Sequence, residues 1–343
     1  MNSHPPFVHQ ESEIRDIQLK LASLEPGTII PNGRVIEEIG SGGFGTVYKV
    51  ETTEGIKAYK VYHATELHVR EKVKAFKRGY HAMIALNGHS NIVRVQELTQ
   101  APLGFFMDYI SGTNLRSWWT DDIEKQLIVL HSVAQTLEHA HSHPRTIVHR
   151  DIKPENILIV EGENARPIPY LTDFDLSWYS MATVYSTTGQ SAVAAFGHIL
   201  YAAPEQYERP GDDITRKPTT DVFAFGQLCY FTISGKDPAT LAEFSIDNLK
   251  ALLSRWDSED AAQKFLELYK KCIQRTPSNR YQNMNEVSAA LLSVRNSLLD
   301  PDHTKELNKD AFIAELIFGI FGFDVEPSVV TPKSWTRKCL CLC

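Results

Sequence analysis

His149-Arg150-Asp151-Ile152-Lys153-Pro154-Glu155-Asn156 decides the reading of this chain. It sets a carboxylate, an ammonium and a side-chain amide within one short loop. A second acidic triplet, Asp173-Phe174-Asp175, follows it, and a glycine-rich run with a lysine beyond it comes before. A lone His-Arg-Asp triplet would carry little information, whereas this run with its companions in order leaves little room for coincidence. A carboxylate can orient a hydroxyl and take its proton, and a lysine can neutralise a phosphate in motion. An amide oxygen with a second carboxylate can hold a hard cation.

Upstream, Ile39-Gly40-Ser41-Gly42-Gly43-Phe44-Gly45-Thr46-Val47 fits G-x-G-x-x-G-x-V. Glycines there let the backbone turn tightly and come close to phosphates. Alone the pattern is weak, since a flexible hairpin or a dinucleotide-binding loop gives it too. The dinucleotide reading fails because a strand follows rather than a helix. Ala58-Tyr59-Lys60 then supplies a strand lysine; taken alone it would be a solvated charge.

Together these motifs resemble those of eukaryotic-type Ser/Thr protein kinases over residues 33–296, and the leader Pro26-Gly27-Thr28 looks like bacterial members. The resemblance implies an α+β, bilobal fold: a small strand-rich first lobe with one main helix, then a larger, mostly helical second lobe. It implies transfer of the γ-phosphoryl group of ATP to protein hydroxyls, with Asp151 and Lys153 catalytic and Asn156 and Asp173 holding Mg²⁺ (or Mn²⁺). The implied ATP-binding set is Gly40, Ser41, Gly42, Gly43, Phe44, Gly45, Val47, Ala58, Lys60, Met107, Asp108 and Ile110. Glu205 is expected to pair with Arg280, and Asp221 to hold the backbone of the catalytic loop.

Three departures keep open a pseudokinase that binds nucleotide as an interaction module. The glutamate that pairs with the strand lysine in this family falls on Gly79, or on Tyr80 with one residue of slippage. Glu71 lies about 12 Å away by helix rise. Asp175 stands where the family usually has glycine, and Gly197-His198 replaces Gly-Thr. A small-molecule kinase of related fold is disfavoured by Ala203-Pro204-Glu205 and by the position of Lys153. Between Asp173 and Ala203, hydroxyls from Ser177 to Ser191 offer sites where a phosphate could pair with Arg150.

Composition bounds the rest. The 343 residues are 43% hydrophobic and 22% charged, an ordinary globular balance. A net charge of −7 argues against a nucleic-acid partner. No apolar run approaches the ~20 residues that span a bilayer, and the N-terminus shows no signal peptide. The five cysteines form no disulfide or zinc pattern, which points to a cytoplasmic setting. The expected organisation is an N-terminal helical extension (1–28), the first lobe (29–108), the second lobe (109–296) and a C-terminal extension (297–343). Helical periodicity marks 65–86, 123–141, 220–234, 261–274 and 284–299, and strand composition marks 35–50, 57–62, 92–98 and 104–109. Peripheral membrane association follows only if the tail bearing Cys339, Cys341 and Cys343 is lipidated; otherwise it is a plain terminus with free thiols. The protein substrate has no signature.

Overall fold

A computed structural model describes residues 24–42, 45–63, 67, 70–174, 200–209, 213–239 and 242–299. Gly43, Phe44, Asp175, the hydroxyls at 177–191, His198, the apolar run 311–323 and the cysteine tail lie outside the described residues, as does nearly all of the N-terminal extension.

Strands β3 (Gly45–Thr52) and β4 (Gly55–Tyr62), the latter buried on both faces from Ala58 to Tyr62, build the first region. With β1 (Ile29–Ile30), β2 (Gly33–Gly42), β5 (Val95–Gln100) and β6 (Leu103–Asp108) they form a six-stranded sheet in the order β1-β2-β3-β4-β6-β5. Register gives the two faces opposite jobs, because directly paired residues share a side. Tyr48 pairs with Tyr59, which pairs with Phe106. They bury a core with Leu24, Ile30, Val35, Val50 and Val61. On the other face Val47 pairs with Lys60 and Lys60 with Phe105, and Ala58 pairs with Met107.

Helix α1 (Arg70–Ala85) packs on that second face. Its buried residues Ala75, Phe76, Gly79 and Met83 recur at helical spacing. Phe76 meets Tyr62 and Phe105 at ring distances of 5.3 Å each, and Tyr80 meets Phe105 at 5.5 Å.

The second region begins with β7 (Thr113–Asn114), α2 (Leu115–Trp118) and the long α3 (Ile123–Ser142), which Asp122 caps through the Lys125 amide at 3.1 Å. Strands β8 (Ile157–Glu161) and β9 (Pro167–Leu171) join β7 in a three-stranded sheet. Next come α4 (Pro204–Glu208), α5 (Pro218–Ser234), α6 (Ala242–Leu253), α7 (Glu259–Cys272) and α8 (Met284–Leu298). Helix α5 is buried from Thr219 to Ile233, so its sequence is apolar on every side rather than striped. It ends at Gly235, whose φ of 67° suits glycine and where a Cβ would strike the Trp119 ring at 2.8 Å. The expected lobes are present, and the expected helices agree with the observed ones to within a few residues. Periodicity left out α2, α4, α6 and the small β7–β8–β9 sheet, which are short or weakly striped.

Candidate active site

Asp221, in the first turn of α5, organises the catalytic loop from below. Fully buried, it accepts from the backbone amides of His149 and Arg150, both at 2.7 Å, and pairs with His141 Nε2 at 2.8 Å. Burial alone would raise its pKa, but the hydrogen bond and charge of His141, with His149 and the Arg150 amide, hold it below the ordinary carboxylate value. Arg150 sits at φ 63°, a conformation costly for a side-chain-bearing residue, and Asp221 together with Gln206 keeps it there. The Gln206 amide donates to the Arg150 carbonyl at 3.0 Å while its oxygen accepts from the Ala203 amide at 3.0 Å. The ion pair of Glu205 with Arg280 anchors α4 itself, with contacts of 2.7 and 2.8 Å. Arg280 completes its fan of bonds on the carbonyls of Thr219, Gln274 and Arg275.

His149 couples the two acidic motifs. Its Nε2 lies 2.9 Å from the Thr172 carbonyl, so that nitrogen donates, and Nδ1 accepts the Asp151 amide at 3.3 Å. Burial lowers its pKa and keeps that neutral tautomer, while its ring packs 4.5 Å from Phe174.

On this platform the side chains named from sequence converge. Lys153 Nζ and Asn156 Nδ2 each reach Asp151 Oδ2 at 2.9 Å, and Asn156 also bonds the Asp151 carbonyl at 2.8 Å. Asp173, at φ 65°, receives Lys60 Nζ at 2.6 Å. The segment leading to Asp173 is tied to the first region, since Leu171 donates to the Asn91 carbonyl at 2.8 Å and Val93 to that of Leu171 at 2.9 Å. Lys60, from β4 of the first region, thus meets Asp173 just beyond β9 of the second.

The glycine loop divides its labour. Gly42 pairs with Gly45 and Ser41 with Thr46 as β2 turns into β3. A Cβ on Gly40 or Gly42 would meet nothing within 4 Å, whereas one on Gly45 would lie 2.1 Å from the Val61 carbonyl. The first two glycines therefore border open space, and the third is demanded by the close approach of β3 to β4. Val47, Ala58 and Met107 line the face that carries Lys60. The Asp108 side chain turns to Lys57 instead, at 3.2 Å, and its amide donates to the Arg94 carbonyl at 2.9 Å. Ile110 follows, half-buried.

No partner for Lys60 comes from Gly79, which lies buried on the inner side of α1. Arg150 is held down to about 10 by burial and by the neighbouring charges of Arg78 and Arg216, with Asp221 opposing. Sequence reading named Arg150 but not Arg78 or Arg216, because these residues come from three separate elements.

A sequence model of the protein kinase domain matches residues 34–292. A probable serine/threonine-protein kinase of Clostridium acetobutylicum is 29% identical over 80% of this chain and 42% of its own length. Serine/threonine-protein kinase D of Synechocystis is 27% identical over 80% of the chain and 54% of its own. PrkC of Bacillus subtilis is 26% identical over 75% and 39%. The chain thus spans about two-fifths to half the length of these curated relatives. Among solved structures, the PknI kinase domain of Mycobacterium tuberculosis superposes with a TM-score of 0.57 at 20% identity, covering 80% of this chain and all of that one; at that identity the likeness speaks for the fold.

Proposed function

Since this chain belongs to the protein kinase family, we propose that it transfers the γ-phosphoryl group of ATP to serine and threonine hydroxyls of proteins. The observation that carries this reading is the Asp151 carboxylate held between Lys153 and Asn156, both at 2.9 Å. Held so, Asp151 orients the acceptor hydroxyl and takes its proton as the new O–P bond forms. Lys153, already beside that carboxylate, neutralises charge on the group in transfer. Lys60 exchanges Asp173 for the α- and β-phosphates, and the open faces of Gly40 and Gly42 leave room for phosphate against the backbone. Val47, Ala58 and Met107 cover the adenine.

The donor set fits a hard cation. Asn156 commits its amide nitrogen to Asp151, which turns its amide oxygen elsewhere, and Asp173 adds a carboxylate. When bound, Mg²⁺ or Mn²⁺ supplies positive charge against the phosphate oxygens. A phosphate on one of the hydroxyls at 177–191 would find Arg150 with Arg78 and Arg216 as neighbours, which supports regulation by phosphorylation.

The relatives' names lend no support to the pseudokinase alternative, and the assembled Asp151, Lys153, Asn156, Asp173 and Lys60 argue against it. Among the described residues no helix is long and apolar enough to cross a membrane. Cytoplasmic placement, with membrane attachment only through a lipidated tail, remains part of the proposal.

The test is incubation of the purified chain with γ-labelled ATP, Mg²⁺ and a generic protein acceptor, followed by phosphoamino-acid analysis. Label on serine and threonine that disappears in chelator is expected. Absence of label, or label on tyrosine alone, would overturn the reading.

A further inference from the structure

Beside the catalytic loop stands a charged cluster that phosphoryl transfer does not use. Helix α2 is capped by Asn114, whose side chain accepts from the Ser117 amide at 2.9 Å, and is anchored by the buried Leu115. This fixes where Arg116 leaves the surface. Its Nε reaches Glu155 Oε1 at 2.5 Å, and its two terminal nitrogens fork onto Asp237 at 2.6 and 3.3 Å. The guanidinium lies 4.8 Å over the Phe231 ring. Tyr201, two residues before Ala203, donates its hydroxyl to Asp237 at 2.8 Å. Its pKa is raised, first by burial and then by that bond, so the phenol stays a donor.

Glu155 belongs to the loop that carries Asp151 and Lys153. That loop closes on itself through the Asn156 bond to the Asp151 carbonyl. An acceptor chain delivering a hydroxyl to Asp151 advances only ~3.3 Å per extended residue, so its flanking side chains come within reach of this rim. Left alone, two carboxylates there would attract basic residues. Arg116 already occupies both, in fork geometry.

We propose that Arg116 is a specificity-determining residue that cancels selection for basic residues beside the acceptor hydroxyl, so that the chain accepts serine or threonine in neutral surroundings. The proposal rests on the kinase reading. Its physical basis is competition. The side chains of Arg116, Glu155 and Asp237 are 37–42% exposed, so each ion pair contributes little on its own. A substrate arginine would replace one such pair with another and gain nothing net. The resident arginine is tethered and stacked on Phe231, and loses no translational freedom in binding.

The experiment uses the full chain as wild type, Arg116→Ala and Arg116→Lys, with melting temperatures checked for all three. Paired threonine peptides differ only in having arginine or alanine on either side of the acceptor, and kcat/KM is read for each. The wild type should treat the pair alike. Arg116→Ala should favour the basic peptide by about three- to tenfold, with Arg116→Lys between, because lysine keeps the charge but not the fork. A parallel arm measures fluorescence-anisotropy binding of the basic peptide with its threonine replaced by alanine, without ATP. Tighter binding by Arg116→Ala, fading with salt, is expected there. A wild type that already prefers the basic peptide tenfold would overturn the proposal. So would an Arg116→Ala chain that slows equally on both peptides, which marks a purely structural arginine, or unchanged binding. A binding shift with no transfer from any peptide would uphold the recognition surface and count against the kinase reading instead.

Discussion

Two ion pairs flank the site, and they are built for different ends. Arg280 and Glu205 have side chains 0% and 5% exposed, bonded twice to each other, with every remaining arginine nitrogen on a backbone carbonyl. Lys60 and Asp173 share a single contact, with side chains 7% and 25% exposed, and are drawn from different regions of the chain. The first pair has no alternative partner and fixes α4 beneath the catalytic loop. The second can be exchanged, because a polyanion entering beside Gly40 and Gly42 can take the lysine. Permanence on one side and exchangeability on the other is what a phosphate-handling cleft needs.

The largest expected effect breaks the permanent pair. Arg280→Ala leaves a buried carboxylate uncompensated and should cost about 3–5 kcal/mol by denaturant unfolding. Lys60→Met leaves Asp173 partly hydrated and should cost only about 1–2 kcal/mol, yet abolish transfer. Equal losses of stability in the two variants would erase the distinction.

An intermediate effect comes with pH through two half-buried histidines. Burial and the neighbouring His139, 4.6 Å away ring to ring, hold His89 at about 4. Burial and Arg295 hold His131, on α3, at about 4. The unfolded chain takes up protons below pH 6.5 that these folded imidazoles refuse. Stability should therefore fall as pH drops from about 6.5 toward 4, by on the order of 2 kcal/mol once partial exposure is allowed for, and level off below. Denaturant midpoints across that range, with and without His131→Gln, measure it; the variant should show a shallower slope.

Much of this was legible in the sequence because chemistry here is local. The loop from His149 to Asn156, and Lys60 and Asp173 as separate site residues, follow from motifs in order, and α3 from apolar spacing; that Lys60 meets Asp173 is seen only in the fold. What stayed hidden is long-range or too short to carry a period. Strand β7 has two residues, and Arg116 finds partners 39 and 121 positions away. Gly45 was readable as a phosphate glycine, but only the approach of β3 to β4 reveals that Val61 leaves it no room for a side chain.

The smallest effect sharpens the exchangeable side. Gly79 lies buried on the face of α1 that packs toward the strand of Lys60, so Gly79→Glu should offer that lysine a second partner. A rise in kcat of about two- to fivefold is expected, under ~1 kcal/mol in the barrier. A fall in kcat, with Lys60 still essential, would mean that another group already orients the lysine.

The central claim is that Asp151, held by Lys153 and Asn156, acts on the chemistry rather than on nucleotide binding. Single-turnover transfer and ATP affinity measured side by side for the wild type and Asp151→Asn test it most directly. The account predicts a kcat lower by about 10²–10⁴-fold with ATP affinity unchanged. Turnover that persists in Asp151→Asn, or a loss traced wholly to nucleotide binding, would contradict it.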